Sequence, residues 1–208
     1  MIVPDGSRRW AKKHGVSLLD AYDAVARKTA DFCAHLNARG GIDELLVCVA
    51  SVNNYGRSEE QVKDFNLGYS RVAQYSKIPL SITVAGNFDA MGVYADHWRE
   101  LVRNNREGFP LRLLVAWSMD DEVSRIAHQA RDQEGPLTIK DVAALSDIPD
   151  EVDVWIKTGG NRRVSAMHPL FSPYMELVFL DDFFQDLTLE DLDDSISNAT
   201  NRRKLFGM

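Results

Sequence analysis

Short apolar runs rich in β-branched residues recur along this chain, and each is separated from the next by residues with helical spacing. The runs are 45-LLVCVASV-52, 80-LSITVAG-86, 111-LRLLVAW-117, 153-DVWIKTG-159 and 175-MELVFL-180, with Met1 to Val3 as a further strand stub. Amphipathic patterns predict helices over roughly 8–14, 18–39, 58–76, 92–106, 120–133, 139–145 and 188–204. Apolar runs of this kind separated by helices indicate βα units, and therefore an α/β fold: a central, mostly parallel β-sheet covered on both faces by helices. Loops are marked by 107-EGFP-110 and 134-EGP-136. No repeat, low-complexity tract or interdomain linker interrupts the pattern, so residues 1–208 read as one domain, long enough to bury a real core.

The charge balance narrows the function classes. A formal net charge of -7 argues against a general nucleic-acid or membrane-surface binder, because both need a broad basic face. Apolar runs stay under ten residues, so no membrane span or signal segment is expected and the chain is assigned to the cytoplasm. The two cysteines, Cys33 and Cys48, have no motif around them and read as free thiols, Cys48 as a buried one.

Against that acidic background, 4-PDGSRRWAKKHG-15 stands out, because residues 5–13 hold four basic side chains and one acid. The stretch follows a strand stub and enters a helix. Free N–H groups at a helix start, with a glycine that lets the backbone come close, suit a small anion. Arg9 adds a bidentate grip on phosphate. A carboxylate at the same spot repels phosphate unless a cation lies between them, so Asp5 reads either as a Mg²⁺ ligand bridging to a diphosphate or as a plain helix cap. A second basic cluster, 157-KTGGNRRVS-165, follows a strand and combines two glycines with Lys157, Arg162, Arg163 and Ser165. It lacks the Walker spacing. Glu176 opens the next apolar run. Two diphosphate-type loops and two candidate metal carboxylates indicate an enzyme with two diphosphate substrates.

Together, PDGSRRWAKKHG, 51-SVNNYGRS-58, TGGNRRVS and SPYMELVF resemble, in order, the motifs of the cis-prenyltransferase family, which includes undecaprenyl diphosphate synthase. The resemblance covers nearly the whole chain, down to 201-NRRKLFG-207. It implies a largely parallel sheet with surrounding helices and an elongated hydrophobic tunnel, prenyl diphosphate substrates, Mg²⁺ and a homodimer whose C-terminal tail reaches toward the neighbouring subunit. It also assigns roles. Asp5 matches the metal-binding aspartate, and Glu176 the glutamate that helps hold Mg²⁺. Gly6, Ser7, Arg8 and Arg9 match the loop on the donor diphosphate, and Arg57 an arginine on the same group. Ser51 and Asn54 match residues near the reacting carbons. Lys157, Arg163 and Ser165 match the acceptor diphosphate site.

Several departures fall on the acceptor side, while in the donor loop Ser7 replaces the usual asparagine. Leu18 and Tyr22 stand where an arginine and a histidine near phosphate are expected, and Tyr55 replaces a tryptophan. Lys157 replaces an arginine, a point charge instead of a planar fork. Leu205-Phe206-Gly207 replaces an Arg-x-Gly ending, and 117-WSMDDEV-123 stands where an asparagine-tyrosine-glycine-glycine-arginine segment is expected. PDGxRRW, GVSLxDxY, SVxNYxRSEEQV and SPxxExxF are similar to the head-to-middle branch that makes lavandulyl-type skeletons. That resemblance implies condensation of dimethylallyl or geranyl diphosphate with dimethylallyl diphosphate. The sequence does not name the final base; a released diphosphate oxygen and a group near Ser51, Asn54 or Tyr22 are the candidates. An ordinary isopentenyl-using elongation enzyme and a non-catalytic partner subunit are the alternatives.

Other conspicuous segments carry less. 181-DDFFQD-186 resembles the aspartate-rich motif of trans-type terpene enzymes, but position 185 is Gln and the segment follows a strand, so it reads as a surface turn. Asp120 and Asp121 read as helix openers, and 189-LEDLDDS-195 as a solvated acidic helix start. No HExxH or Cys/His cluster suggests zinc. Trp98, Trp117 and Trp155 are expected in the core or tunnel wall, and Trp10 in packing of the first helix.

Overall fold

Strands buried on both faces must feed two cores, with alternate residues pointing each way. A computed structural model describes residues 1–131, 135–136, 138–148 and 150–201. The strands are β1 (Ile2–Val3), β2 (Leu45–Cys48), β3 (Leu80–Ala85), β4 (Phe109–Leu114), β5 (Val154–Lys157) and β6 (Glu176–Phe179). They form one sheet in the order β3-β4-β2-β1-β5-β6, and every neighbouring pair of strands is parallel. Ile2, Val47, Leu111, Leu113 and Ile156 face one core, whereas Met1, Val3, Leu46, Cys48, Leu114 and Trp155 face the other. The two-residue β1 sits in the middle, between β2 and β5.

Around the sheet lie α1 (Ser7–His14), α2 (Leu18–Arg39), α3 (Glu59–Tyr69), α4 (Val72–Tyr75), α5 (Phe88–Met91), α6 (Ala95–Asn104), α7 (Met119–Ala130), α8 (Ile139–Ala144) and α9 (Leu189–Thr200). Val25, Phe32 and Leu36 of α2, Phe65 of α3, Trp98 of α6 and Leu192 of α9 complete the first core. Trp98, Trp117 and Trp155 are all fully buried, as expected. So are both cysteines, whose thiols burial pushes up to about 12. Among the described residues no helix is long and apolar enough to cross a membrane.

Local chemistry sets the boundaries. Ser17 and Asp20 form a reciprocal capping box that starts α2, and Gly40 ends it at φ 72°. The predicted helix 58–76 instead breaks into α3 and α4, because Ser70 Oγ donates back to the Leu67 carbonyl at 3.1 Å. The predicted helix 92–106 starts later, at Ala95, after a 3₁₀ turn over Gly92–Tyr94. α5 and the 3₁₀ turn Val52–Gly56 carry no periodic signal of their own, being too short. The ends of the predicted helices 120–133 and 188–204, and the closing NRRKLFG stretch beyond Asn201, lie outside the described residues.

At Gly68 the helices α2 and α3 touch most closely: a Cβ there would lie 2.6 Å from Tyr22 Cβ. At the same contact, buried Asp23 accepts hydrogen bonds from Arg27 Nε and Arg71 Nη1, each 3.0 Å, and from the Tyr75 hydroxyl. Burial alone would raise its carboxyl, but the Tyr75, Arg71 and Arg27 hydrogen bonds outweigh that and hold it below the usual range. A depressed folded value means stability that is present above the ordinary aspartate range and lost as pH falls through the folded value. Asp23→Ala is therefore expected to cost about 2 kcal/mol at neutral pH. In urea titrations the gap from wild type should close under strongly acidic conditions. Equal midpoints at pH 7 would show that the clamp contributes nothing.

Candidate active site

The first chain segments to leave the carboxyl ends of β1, β2 and β5 converge on one crevice, the place where open α/β sheets bind ligands. It is a cavity of about 610 Å³. Lining it are Asp5, Gly6, Ser7, Arg8 and Arg9 after β1, Ser51, Asn54 and Arg57 after β2, Lys157, Arg163 and Ser165 from β5 and its following loop, and Tyr22 from α2. Twelve of the thirteen residues given a site role thus meet in one place, whereas Arg162 of the second basic cluster pairs with Asp181 outside it. Glu176 does not line it. Glu176 opens β6 opposite Val154, whereas the cavity end of that strand pair is Lys157 opposite Phe179. Three residues of strand put it about 10 Å back along the sheet.

Gly6 is the N-cap of α1 at φ 100°, and no side chain caps the helix. The first-turn N–H groups are left for an anion, with Arg8 and Arg9 beside them. Asp5 is not the cap. Its Oδ2 accepts from Asn161 Nδ2 at 2.9 Å and lies 3.8 Å from Lys157 Nζ, and its Oδ1 lies 3.6 Å from Arg9 Nη2. Two loops from opposite ends of the chain are pressed together here: Gly159 at φ 80° lies so close that a Cβ would come 2.4 Å from the Asp5 carbonyl oxygen. The second loop hangs on the segment that follows the outer strand, through Gly159 N–H to the Asp182 carbonyl, 2.7 Å, and Gly160 N–H to the Leu180 carbonyl, 3.0 Å.

Lys157 is 4% exposed and donates to the Arg163 carbonyl at 2.7 Å. Burial lowers its ammonium below the usual lysine range, with Asp5 opposing and Arg163 adding to the fall. Asn54 Oδ1 accepts the Ser51 N–H at 3.0 Å, which folds the turn that carries Arg57. Tyr22 and Tyr69 form the inner wall, both 4% exposed, with ring centroids 5.4 Å apart. Burial raises the Tyr22 phenol, while the Arg57 and Arg8 charges and an Arg57 hydrogen bond pull the other way. Burial likewise raises Tyr69, against a hydrogen bond with Ser7.

Several residues of the site were not singled out in the sequence. Asn161 lies inside the second basic loop but carries no charge. The segment 181–186 is more than a surface turn. Gln185 Nε2 donates to Ser7 Oγ at 3.2 Å, Trp10 Nε1 donates to Asp186 at 2.7 Å, and Phe183 packs on Gly6 and under Arg9. It braces the start of α1 from outside, which explains its aromatic and amide content. Asp193 in α9 is likewise paired, with His35 and Arg39, and is not simply solvated.

Among the described residues no three His, Cys, Asp or Glu side chains cluster to hold a metal. A cation at Asp5 would take one carboxylate from the protein and its other oxygens from a diphosphate and water, an arrangement that suits Mg²⁺. Asp5 fits that role, since its carboxylate lines the cavity beside the arginines. Another cavity, of about 470 Å³, lies at the opposite ends of the strands. Asp43, Glu44, Asp150, Glu151 and Asp153 line it and would repel a diphosphate.

The family described as putative undecaprenyl diphosphate synthase matches residues 3–207. A tritrans,polycis-undecaprenyl-diphosphate synthase (geranylgeranyl-diphosphate specific) from Aeropyrum pernix is 27% identical, over 99% of this chain and 96% of its own length. An isoprenyl transferase from Porphyromonas gingivalis is 28% identical over 99% and 87%. In three dimensions, the lavandulyl diphosphate synthase of Lavandula x intermedia, solved with dimethylallyl diphosphate, superposes with a TM-score of 0.79 at 21% identity, covering 100% of this chain and 96% of that one. A probable undecaprenyl diphosphate synthase from Campylobacter jejuni gives 0.77 at 18%, covering 100% and 97%.

Proposed function

Because this chain belongs to the undecaprenyl diphosphate synthase-like family of prenyltransferases, and so transfers prenyl groups, we propose that it joins two prenyl diphosphates head to middle. The donor is dimethylallyl or geranyl diphosphate, the acceptor is dimethylallyl diphosphate, and the product is a branched, lavandulyl-type diphosphate. Lys157 carries this assignment. Its ammonium is a point charge turned inward to the Arg163 carbonyl and Asp5, so at this position the second diphosphate meets no planar fork, and its grip falls to Arg163 and Ser165. An altered acceptor grip beside an intact donor grip fits an altered nucleophile. The tyrosine wall favours short chains, and the name of the lavandulyl synthase neighbour points the same way.

The donor's C1–O bond breaks with its electron pair on the departing diphosphate. N–H groups at the start of α1, with Arg8, Arg9 and Arg57, face that developing charge already in place. Mg²⁺ held by Asp5 and the diphosphate would supply further stabilisation of the leaving group. The acceptor's C2=C3 electron pair forms the new bond from its C2 to donor C1, leaving a tertiary cation at C3. A proton then leaves the adjacent carbon to a diphosphate oxygen or to a group beside Ser51, Asn54 or Tyr22. Tyr22 and Tyr69, buried and apolar on their faces, keep water from the cation. The same reading includes a single domain, a homodimer and Mg²⁺ dependence. In a dimer Glu176 would act near the sheet edge and not beside its own chain's Asp5.

Mass spectrometry of products made with Mg²⁺ tests this. Dimethylallyl diphosphate alone, or with geranyl diphosphate, is expected to yield branched ten- or fifteen-carbon diphosphates. Products that form only when isopentenyl diphosphate is added would replace this function with ordinary head-to-tail elongation. A chain that turns over no mixture would be a partner subunit.

A further inference from the structure

Asn161 Nδ2 donates to Asp5 Oδ2 at 2.9 Å, from the loop that follows β5. The other groups around the Asp5 carboxylate are cations, Lys157 at 3.8 Å and Arg9 at 3.6 Å. A diphosphate entering the cavity competes for Arg9, which gains a charge-assisted bond by turning to phosphate oxygen, whereas buried Lys157 stays on the Arg163 carbonyl. Asn161 gains no such charge. It stays on Oδ2, and as a neutral donor it does not repel an incoming cation as a lysine or arginine would.

We infer that Asn161 is a positioning residue: it holds Oδ2 of Asp5 so that Oδ1, released by Arg9, is presented to a divalent cation bridging to the bound diphosphate. This rests on the diphosphate-binding site proposed above, and not on which acceptor the enzyme uses. Groups that orient a metal-ligating carboxylate typically change metal affinity by about 10- to 100-fold when removed. Loop packing does not depend on this bond alone, because Gly159 and Gly160 are tied to the Asp182 and Leu180 carbonyls.

The probe is inorganic pyrophosphate, titrated calorimetrically into the protein with and without Mn²⁺. The quantity read is the gain in pyrophosphate affinity that Mn²⁺ brings. For Asn161→Ala, and for Asn161→Leu, which keeps bulk without the N–H, metal-free affinity should stay within about threefold of wild type, because Arg8, Arg9 and Arg57 are untouched. The Mn²⁺-dependent gain should fall about tenfold or more. A gain preserved in both variants overturns the positioning role and leaves the proposed function standing. A fall in metal-free affinity as large as the fall with Mn²⁺ also overturns it, because that is what general damage to the loop would do. If wild type itself shows no gain, the metal-diphosphate site fails and this role fails with it. Linear, isopentenyl-dependent products would instead overturn only the head-to-middle assignment.

Discussion

Asp5→Asn is expected to lower turnover about a thousandfold, with the melting temperature within a few degrees of wild type. The substitution keeps the shape of the side chain and an oxygen for Asn161. It removes the one carboxylate among the described residues that line the cavity, the charge that favours a divalent cation. Stability should hold because the charged neighbours are not left stranded: Arg9 is half-exposed, and Lys157 keeps its bond to the Arg163 carbonyl. Steady-state rates across a Mg²⁺ series, paired with thermal melts, check both halves. A variant that turns over normally would take the metal role away from Asp5. One that melts far below wild type would mean that Asp5 is chiefly a strut between two loops.

Gly159→Ala should be the most damaging small change at the site. At φ 80° an alanine is strained by itself, and its Cβ would meet the Asp5 carbonyl oxygen at 2.4 Å, where both sides are backbone. One loop has to move, at a cost of about 2–4 kcal/mol, and either movement separates Asp5 from Asn161 and Lys157. Urea midpoint and turnover should fall together. Gly160 offers a control, since it has a similar φ of 77° but its nearest neighbour would be 3.8 Å from an added Cβ. Gly160→Ala should therefore carry only the conformational cost, about 1 kcal/mol. If the two variants behave alike, the close approach at Gly159 is not what matters.

Whatever the layers and motif loops impose on sequence could be read from it. Continuous apolar runs marked the strands, since both sheet faces are covered, and the two basic loops marked the cavity because phosphate chemistry needs glycine and arginine together. Features that depend on packing between distant segments could not be read. Asn161 is one uncharged residue among arginines, and its value lies in reaching Asp5 from the loop after the neighbouring strand. Gln185 and Asp186 looked like the debris of a metal motif, although they brace α1. Lys157 announced a changed site by type, but its inward direction follows from burial beneath the loop it supports. Glu176 is the opposite case: its motif context suggests a site residue, and the strand register sets it well back from the cavity of its own chain.

Because β1 lies between β2 and β5, a strand that precedes all the others of the sheet is completed only after β2, β3 and β4 have been made. Until Val154–Lys157 has been synthesised, Ile2 and Val3 have a partner on one side only, and Asp5 has neither Lys157 nor Asn161. Any chain stalled earlier therefore carries an open sheet edge at its centre, the kind of surface that recruits chaperones or pairs with another copy. The two halves of the phosphate site therefore meet only when β5 pairs with β1, and a chain truncated before Val154 lacks Lys157, Asn161 and Arg163.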